Sequence, residues 1–212
     1  MSNDPQSLDL PRGLYALVDD GVRPDLSLVA KGVDRLRQWA DYQKPVWNWI
    51  ETTGIDDPAD TPTPAQIRAE VWMSLVHGSA GIGYFAHIFS PSFIEAGLLS
   101  LPTVKAAVKS INAEITSLAP VLNTPSIGNA ATVASSSSAV PIDLMVKRQG
   151  GALYVFAVAM RPGATQATFT LRGVTSGTAT VLGESRTIPV VGGVFSDAFA
   201  ADYAVHLYRV TF

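Results

Sequence analysis

The spacing of apolar residues changes character near residue 125, and this change limits the folds open to the chain. Before it, apolar residues recur every three or four positions: Val29, Val33 and Leu36; Ile67, Val71 and Leu75; Val104, Val108, Ile111, Ile115 and Leu118. That period predicts three amphipathic helices. After it, short runs such as "IDLMVKR", "ALYVFAVAM", "ATFTLRG", "TATVLG", "RTIPVVGG", "VFSDAF" and "YAVHLYRVTF" follow one another between Gly, Pro and polar turns. Regularly spaced short strands predict an antiparallel sandwich or barrel. The stretch between, "NTPSIGNAATVASSSSAVP", has the Pro, Gly, Asn and Ser/Ala content of a linker. Two domains are therefore expected, 1–125 and 126–212.

Within the first domain, "PVWNWI" at 45–50 and "GIGYFAHIF" at 81–89 have strand length and aromatic or β-branched content, and "GLYALVDDG" at 13–21 is a weaker third candidate. Strands alternating with helices predict successive βα units around a parallel sheet. Helix ends are marked too. In "TPAQ", Thr63 can cap, Pro64 suits the first helical position, and Gln66 can complete a capping box, while Gly78 closes the same helix. In the second domain, "VHLYRVTF" sets Val205, Leu207 and Val210 against His206 and Arg209, so His206 is expected on the solvent side of a final strand.

Several chemistries are excluded by what the chain lacks. Charged residues make up 16% and the net charge is −3, so no basic field exists to hold nucleic acid or an anionic membrane. Apolar residues reach 47%, enough for a packed core, yet no run is long enough to span a bilayer. There is no cysteine, which removes thiolate catalysis and thiolate metal sites. His77, His87 and His206 are scattered without ligand spacing, so no metal and no cofactor is expected. "HGSAGIG" follows a helix and precedes a strand, the reverse of a phosphate-binding turn, and its glycines are read as a tight αβ turn. The serines at 135–138 have no neighbouring base and read as linker. Nothing indicates a cellular compartment.

Carboxylates at strand ends remain. In a parallel barrel the reacting groups lie at the carboxyl ends of strands, which is where "KPVWNWIETTG" puts Glu51. Trp47 and Trp49 share its two-residue phase and are expected on the same side. His87 ends the next strand on that face, with Tyr84 and Phe85 just beneath. Asp56, Asp57 and Asp60 read as a solvated lid. Indole faces beside a carboxylate suit a carbohydrate, whose ring stacks while its hydroxyls find acceptors. The alternative reading is a buried strand whose tryptophans are core and whose glutamate is merely the first solvated residue.

These stretches in order, "KPVWNWIETT", "PTPAQIRAEVWMSLVHGSAGIGYFAH", "LPTVKAAVKSINAEITSLAPVLN" and an all-β tail, resemble the C-terminal part of (β/α)8-barrel retaining glycoside hydrolases of the β-galactosidase-like clan. Arg68, Trp72, His77 and Gly78 match a helix pattern of that family, and Gly81, Ile82, Tyr84 and Phe85 match its eighth strand. The resemblance implies a partial barrel of the last two or three βα units followed by an antiparallel β-sandwich. It makes Glu51 the nucleophile, with Trp47, Trp49, Tyr84, Phe85 and His87 lining a sugar subsite. It also implies an omission. Retaining chemistry needs a second carboxyl about 5 to 5.5 Å away, and in the family it follows the fourth strand, ahead of the part this chain resembles. Glu70 and Glu114 fall in helices and Glu184 in the β domain, which leaves Glu95, in the loop after the eighth strand, as the one other glutamate with a path to the site. The expectation is a glycoside hydrolase portion inactive alone, with its open barrel strands covered by a missing N-terminal segment, a partner or self-association. The alternative is a non-catalytic carbohydrate-binding or structural/assembly module, with the β domain merely packing on the barrel remnant and stabilising it.

Overall fold

The computed structural model describes residues 25–212; the candidate strand at 13–21 lies outside them. Two layers of regular structure follow in sequence. The first is α1 (Ser27–Trp39), β1 (Trp47–Glu51), α2 (Pro64–Val76), β2 (Gly81–Phe85) and α3 (Pro102–Leu122). β1 and β2 pair in parallel, Trp47 opposite Gly81 and Glu51 opposite Phe85. α2 opens as its sequence predicts: Thr63 accepts from the Gln66 amide, the Gln66 side chain answers to the Thr63 amide, and Pro64 stands in the first turn. It ends at His77, followed by Gly78 at φ +94°, a backbone region that glycine enters freely. Val29, Ile50, Ile67, Val71, Val104, Val108 and Ile111 form one apolar cluster between the strand pair and the helices.

The second layer is β3 (Ala131–Ser135), β4 (Ile142–Gln149), β5 (Ala152–Ala159), β6 (Thr165–Leu171), β7 (Ser176–Val181), β8 (Arg186–Val191), β9 (Val194–Phe199) and β10 (Val205–Thr211). All eight belong to one hydrogen-bonded antiparallel sheet, in the order β3-β6-β9-β8-β7-β10-β5-β4. Of the two arrangements expected from the sequence, this single sheet corresponds to the barrel and not to the stacked pair of a sandwich. Side chains from both ends of the sheet, Ala131 of β3 and Ile142 and Val146 of β4, enter a single core with Phe169, Phe195 and Tyr208, so the sheet is curled around its own interior. Gly150–Gly151 and Gly192–Gly193 have φ values of 56° and 78°, and 60° and 77°. Two consecutive positive φ values are what a tight hairpin with the strands' own twist requires.

The outer face of β4, β5 and β10 is not free. Met145, Phe156, Val158, Val205 and Leu207 pack there against Ala69, Trp72 and Met73 of α2, and the Trp72 ring stacks on Phe156 at 5.2 Å. β5 is covered on both faces, which accounts for the nearly unbroken apolar run "ALYVFAVAM". The same packing corrects the reading of β10: Val205 and Leu207 face α2, whereas Tyr208 and Val210 face the sheet interior. The serine run is no linker either. Ser135 completes β3, and its hydroxyl lies 2.7 Å from that of Thr165, with Ser136 at 3.1 Å from the same oxygen. Among the described residues no helix is long and apolar enough to cross a membrane.

Candidate functional site

β1 is half-covered, and its alternation places the residues of interest. Ile50 turns inward and is 1% exposed, and Asn48 on the same side donates to the Ser74 hydroxyl of α2 at 2.8 Å. The opposite face carries Trp47, Trp49 and Glu51, with the two tryptophans 61% and 55% exposed. Their partners across the pair explain the glycines of "GIGYF". A methyl group on Gly81 would stand 2.6 Å from the Trp47 indole, and one on Gly83 would stand 2.5 Å from that of Trp49. The indoles therefore lie directly over the β2 backbone, and only glycine leaves room for them. This corrects the reading of all three glycines as a turn: Gly78 belongs to the turn, and Gly81 and Gly83 belong to the platform.

Beyond Glu51 the chain stays latched to β2. Thr52 and Thr53 are fully buried, and their hydroxyls donate to the carbonyls of Phe85 at 2.7 Å and His87 at 2.6 Å. Phe85, opposite Glu51, begins a run of rings at alternate positions. Phe85 and His87 meet edge to face at 5.3 Å, His87 lies 5.7 Å from Phe93, and Phe89 lies 5.4 Å from Phe93. The His87 Nδ1 is 2.5 Å from the Glu95 carbonyl oxygen, which fixes the ring. The sequence motifs place neither Phe89 nor Phe93 at this site, although Phe89 ends the run 81–89 and continues the two-residue phase of Phe85 and His87.

Tyr84 does not join this face. It has the phase of Ile50 and Ile82, packs with the helix-side cluster, and donates from its hydroxyl to Asn112 Oδ1 of α3 at 2.8 Å. The expected sugar-lining role for Tyr84 is thus corrected by strand alternation. Burial pushes its hydroxyl up to about 12, so it remains a neutral donor.

Burial, with the charge of Asp60 added, raises the Glu51 carboxyl to about 7. On α2, Glu70 is only 3% exposed, and burial reinforced by the Glu51 charge raises it to about 8. The antiparallel run of α2 against β1 sets Ser74 beside Asn48, so Glu70, one turn earlier, lies toward the carboxyl end of β1. A helical position alone gives Glu70 no place at the site, yet it stands three positions from Ile67 and four from Ser74, on the covered stripe.

The four helix-pattern residues serve packing. Arg68 holds Glu114 of α3 through Nε at 3.2 Å and Nη2 at 2.9 Å, and donates from Nη1 to the Val205 carbonyl at 3.1 Å. Trp72 donates from its indole to the same Glu114 at 3.0 Å. His77 stands between Asp34 of α1, at 2.9 Å, and Asp143 of β4, at 3.1 Å. Gly78 leaves space for the Arg37 guanidinium. In the β layer, Arg186 makes a two-pronged contact with Asp197 at 2.8 Å for each arm, and His206 contacts Glu184 at 2.5 Å. His206 is therefore tied into an ionic cluster, not simply turned to solvent. No group of residues able to hold a metal ion occurs among the described residues.

No protein-family model matches the sequence, and no curated protein matches it. Solved structures do match. An α-amylase from Geobacillus thermoleovorans, complexed with acarbose, superimposes with a TM-score of 0.61 at 9% identity over 94% of this chain and 47% of that one. AmyP in complex with maltose gives 0.59 at 10% identity, over 93% and 48%. An Anoxybacillus α-amylase, described as a new glycosyl hydrolase subclass, gives 0.55 at 10% identity, over 88% and 45%. The likeness is one of fold, and the chain spans about half the length of the solved structures it matches.

Proposed function

We propose that the chain is the C-terminal portion of a retaining glycoside hydrolase. In this reading residues 1–125 supply the last two or three βα units of a (β/α)8 barrel, and residues 126–212 form the β domain that follows it. Glu51 is the nucleophile. Trp47, Trp49, Phe85 and His87 line the sugar subsite, and Tyr84 supports the strand from behind. The observation that carries the reading is the shared face of Trp47, Trp49 and Glu51, ending beside Phe85 at the carboxyl end of a parallel strand pair. Two exposed indoles beside a carboxyl offer stacking and an acceptor together. The fold neighbours include proteins bound to acarbose and maltose, which supports a carbohydrate as the partner.

The reaction is a double displacement: Glu51 Oε attacks the anomeric carbon, the leaving oxygen takes a proton from a second carboxyl, and water then cleaves the glycosyl ester. That acid/base belongs to the remainder of the barrel, which also covers the open side of β1. A nucleophile must be ionised, whereas Glu51 at about 7 is half protonated near neutrality. The complementing part must therefore bring a cation or hydrogen-bond donors to Glu51. Alone, the chain should bind an oligosaccharide, read by tryptophan fluorescence, without releasing nitrophenol from an aryl glycoside. Trp49→Ala should weaken that binding. Turnover by the chain alone, abolished in Glu51→Gln, would overturn the division of labour.

A second reading, a non-catalytic carbohydrate-binding or assembly module, draws on the same raised Glu51. A platform of indoles binds sugar without an ionised carboxylate. Sugar binding that survives Glu51→Ala in full, with no activity regained when an acid/base-bearing barrel segment is added, would favour it.

A further inference from the structure

A separate cavity of about 480 Å³ lies at the other end of the strand pair. It is bounded by the start of β2 at Ser79–Ile82, the ends of α1, α2 and α3, and the outer face of β4. Since Glu51 pairs with Phe85 at the far end of β2, the two places stand about 13 Å apart along the strand. Its size falls in the range of small-molecule pockets. Leu75, Ile82, Ile115 and Met145 give it an apolar wall, and none of its lining residues is acidic.

Its cations are unusual for a chain of net charge −3. The outward residues of β4 are Asp143, Met145 and Lys147. Asp143 meets His77 and Met145 packs against the helices, while Lys147 is drawn in until it is 7% exposed. Its ammonium donates to the Thr124 carbonyl, just past α3, at 2.6 Å. An ammonium has three donors, and among the described residues no carboxylate lies within ion-pair distance of it. Burial pushes its pKa down, the response of a buried cation lacking an anion. Arg37 also lines the cavity. It donates to the His77 carbonyl at 2.8 Å and lies over the Tyr42 ring, again with no carboxylate partner among the described residues.

We propose that this cavity binds a small organic monoanion, a carboxylate on a short apolar body, with the carboxylate on Lys147 and Arg37 and the body against Leu75, Ile82, Ile115 and Met145. Such a ligand gives the buried ammonium the anion that the chain does not supply, and its apolar part displaces water from the wall. It also ties all three helices to β4. The site is independent of the reading of Glu51.

The test uses the full 212-residue chain with sodium hexanoate as probe and hexan-1-ol and inorganic phosphate as controls, by titration calorimetry and thermal unfolding at constant ionic strength. Hexanoate should bind saturably and raise the unfolding temperature, and the two controls should bind much more weakly. Lys147→Met, which keeps the stem, should weaken hexanoate on the order of thirtyfold. Should that variant fold poorly, Ala119→Phe fills the cavity from α3 while leaving the bond to Thr124, and it should abolish binding. Three results would overturn the proposal: no saturation at millimolar hexanoate, equal affinity for hexan-1-ol or phosphate, or binding unchanged in both variants. Any of them would reduce Lys147 to a cap on the α3 terminus.

Discussion

Glu70 has no cation beside it among the described residues, and its raised titration is a statement about stability. A carboxyl near 8 when folded and at its ordinary 4.5 when unfolded binds its proton more tightly in the folded chain. Its contribution is therefore full below about 4.5 and is lost as pH rises to about 8. Glu70→Gln keeps the shape and removes the charge. It should stabilise the chain at pH 8 by about 2 to 4 kcal/mol and change little at pH 5, read by urea unfolding at both values. An equal effect at both would mean that packing, not charge, governs the site. The residues of the candidate face were legible for a simple reason: in a strand, phase alone separates Trp47, Trp49 and Glu51 from Ile50. The same rule, applied across the pair, puts Tyr84 on the helix side, opposite the face that its adjacency to Phe85 suggests.

Between elements, the sequence signals were strong where they are local and weak where partners are distant. The capping box of α2 and the Gly-Gly hairpins follow from neighbours a few residues apart. The joining of α2 to α3 by Arg68, Trp72 and Glu114 does not, because Glu114 is 42 residues from Trp72 and looks like any charge on a solvated helix. Glu114→Ala leaves the indole N–H without its acceptor and the guanidinium with only the Val205 carbonyl. With both ionic side chains partly exposed, the expected loss is about 1 to 3 kcal/mol, and Glu114→Gln should recover part of it through the indole. The strand pair has its own constraint. Gly83→Ala must push the Trp49 ring off β2, so a shift in tryptophan emission and weaker oligosaccharide binding should accompany a modest loss of stability. Unchanged emission would show that the indole does not rest on Gly83.

At the scale of the molecule, the change of apolar period near residue 125 marks a change of element type but not a gap in packing. Trp72 and Met73 of α2 are fully buried against β5 and β10, and Asp25 and Ser27 at the start of α1 bind Arg161 beyond β5. The serines have a linker's composition, but composition reports the solubility of a segment and not what later strands bring against it: Ser135 to Ser137 are polar, yet Thr165 holds them. The joint between helices and sheet also carries a titrating group. Burial opposes protonation of His77, but Asp143 and Asp34 on its two ring nitrogens outweigh it and raise its pKa. Protonated, the ring donates to both carboxylates; neutral, it donates to one and turns a lone pair toward the other. This part of the stability is full below 6.5 and fades as pH rises through the folded value, the same direction as Glu70. Asp197 runs the other way. Despite its burial, Arg186 and Tyr208 hold its carboxyl below 3.8, so its contribution is lost only in stronger acid. The chain should therefore be most stable between about pH 4 and 5 and weaken steadily toward pH 8. His77→Gln should be costly at pH 5 and nearly neutral at pH 8, the opposite pattern to Glu70→Gln, which leaves pH 5 unchanged and gains at pH 8. Unfolding curves for the two variants across that range separate the interface from the buried acid, and a wild-type maximum near pH 8 would contradict both assignments at once.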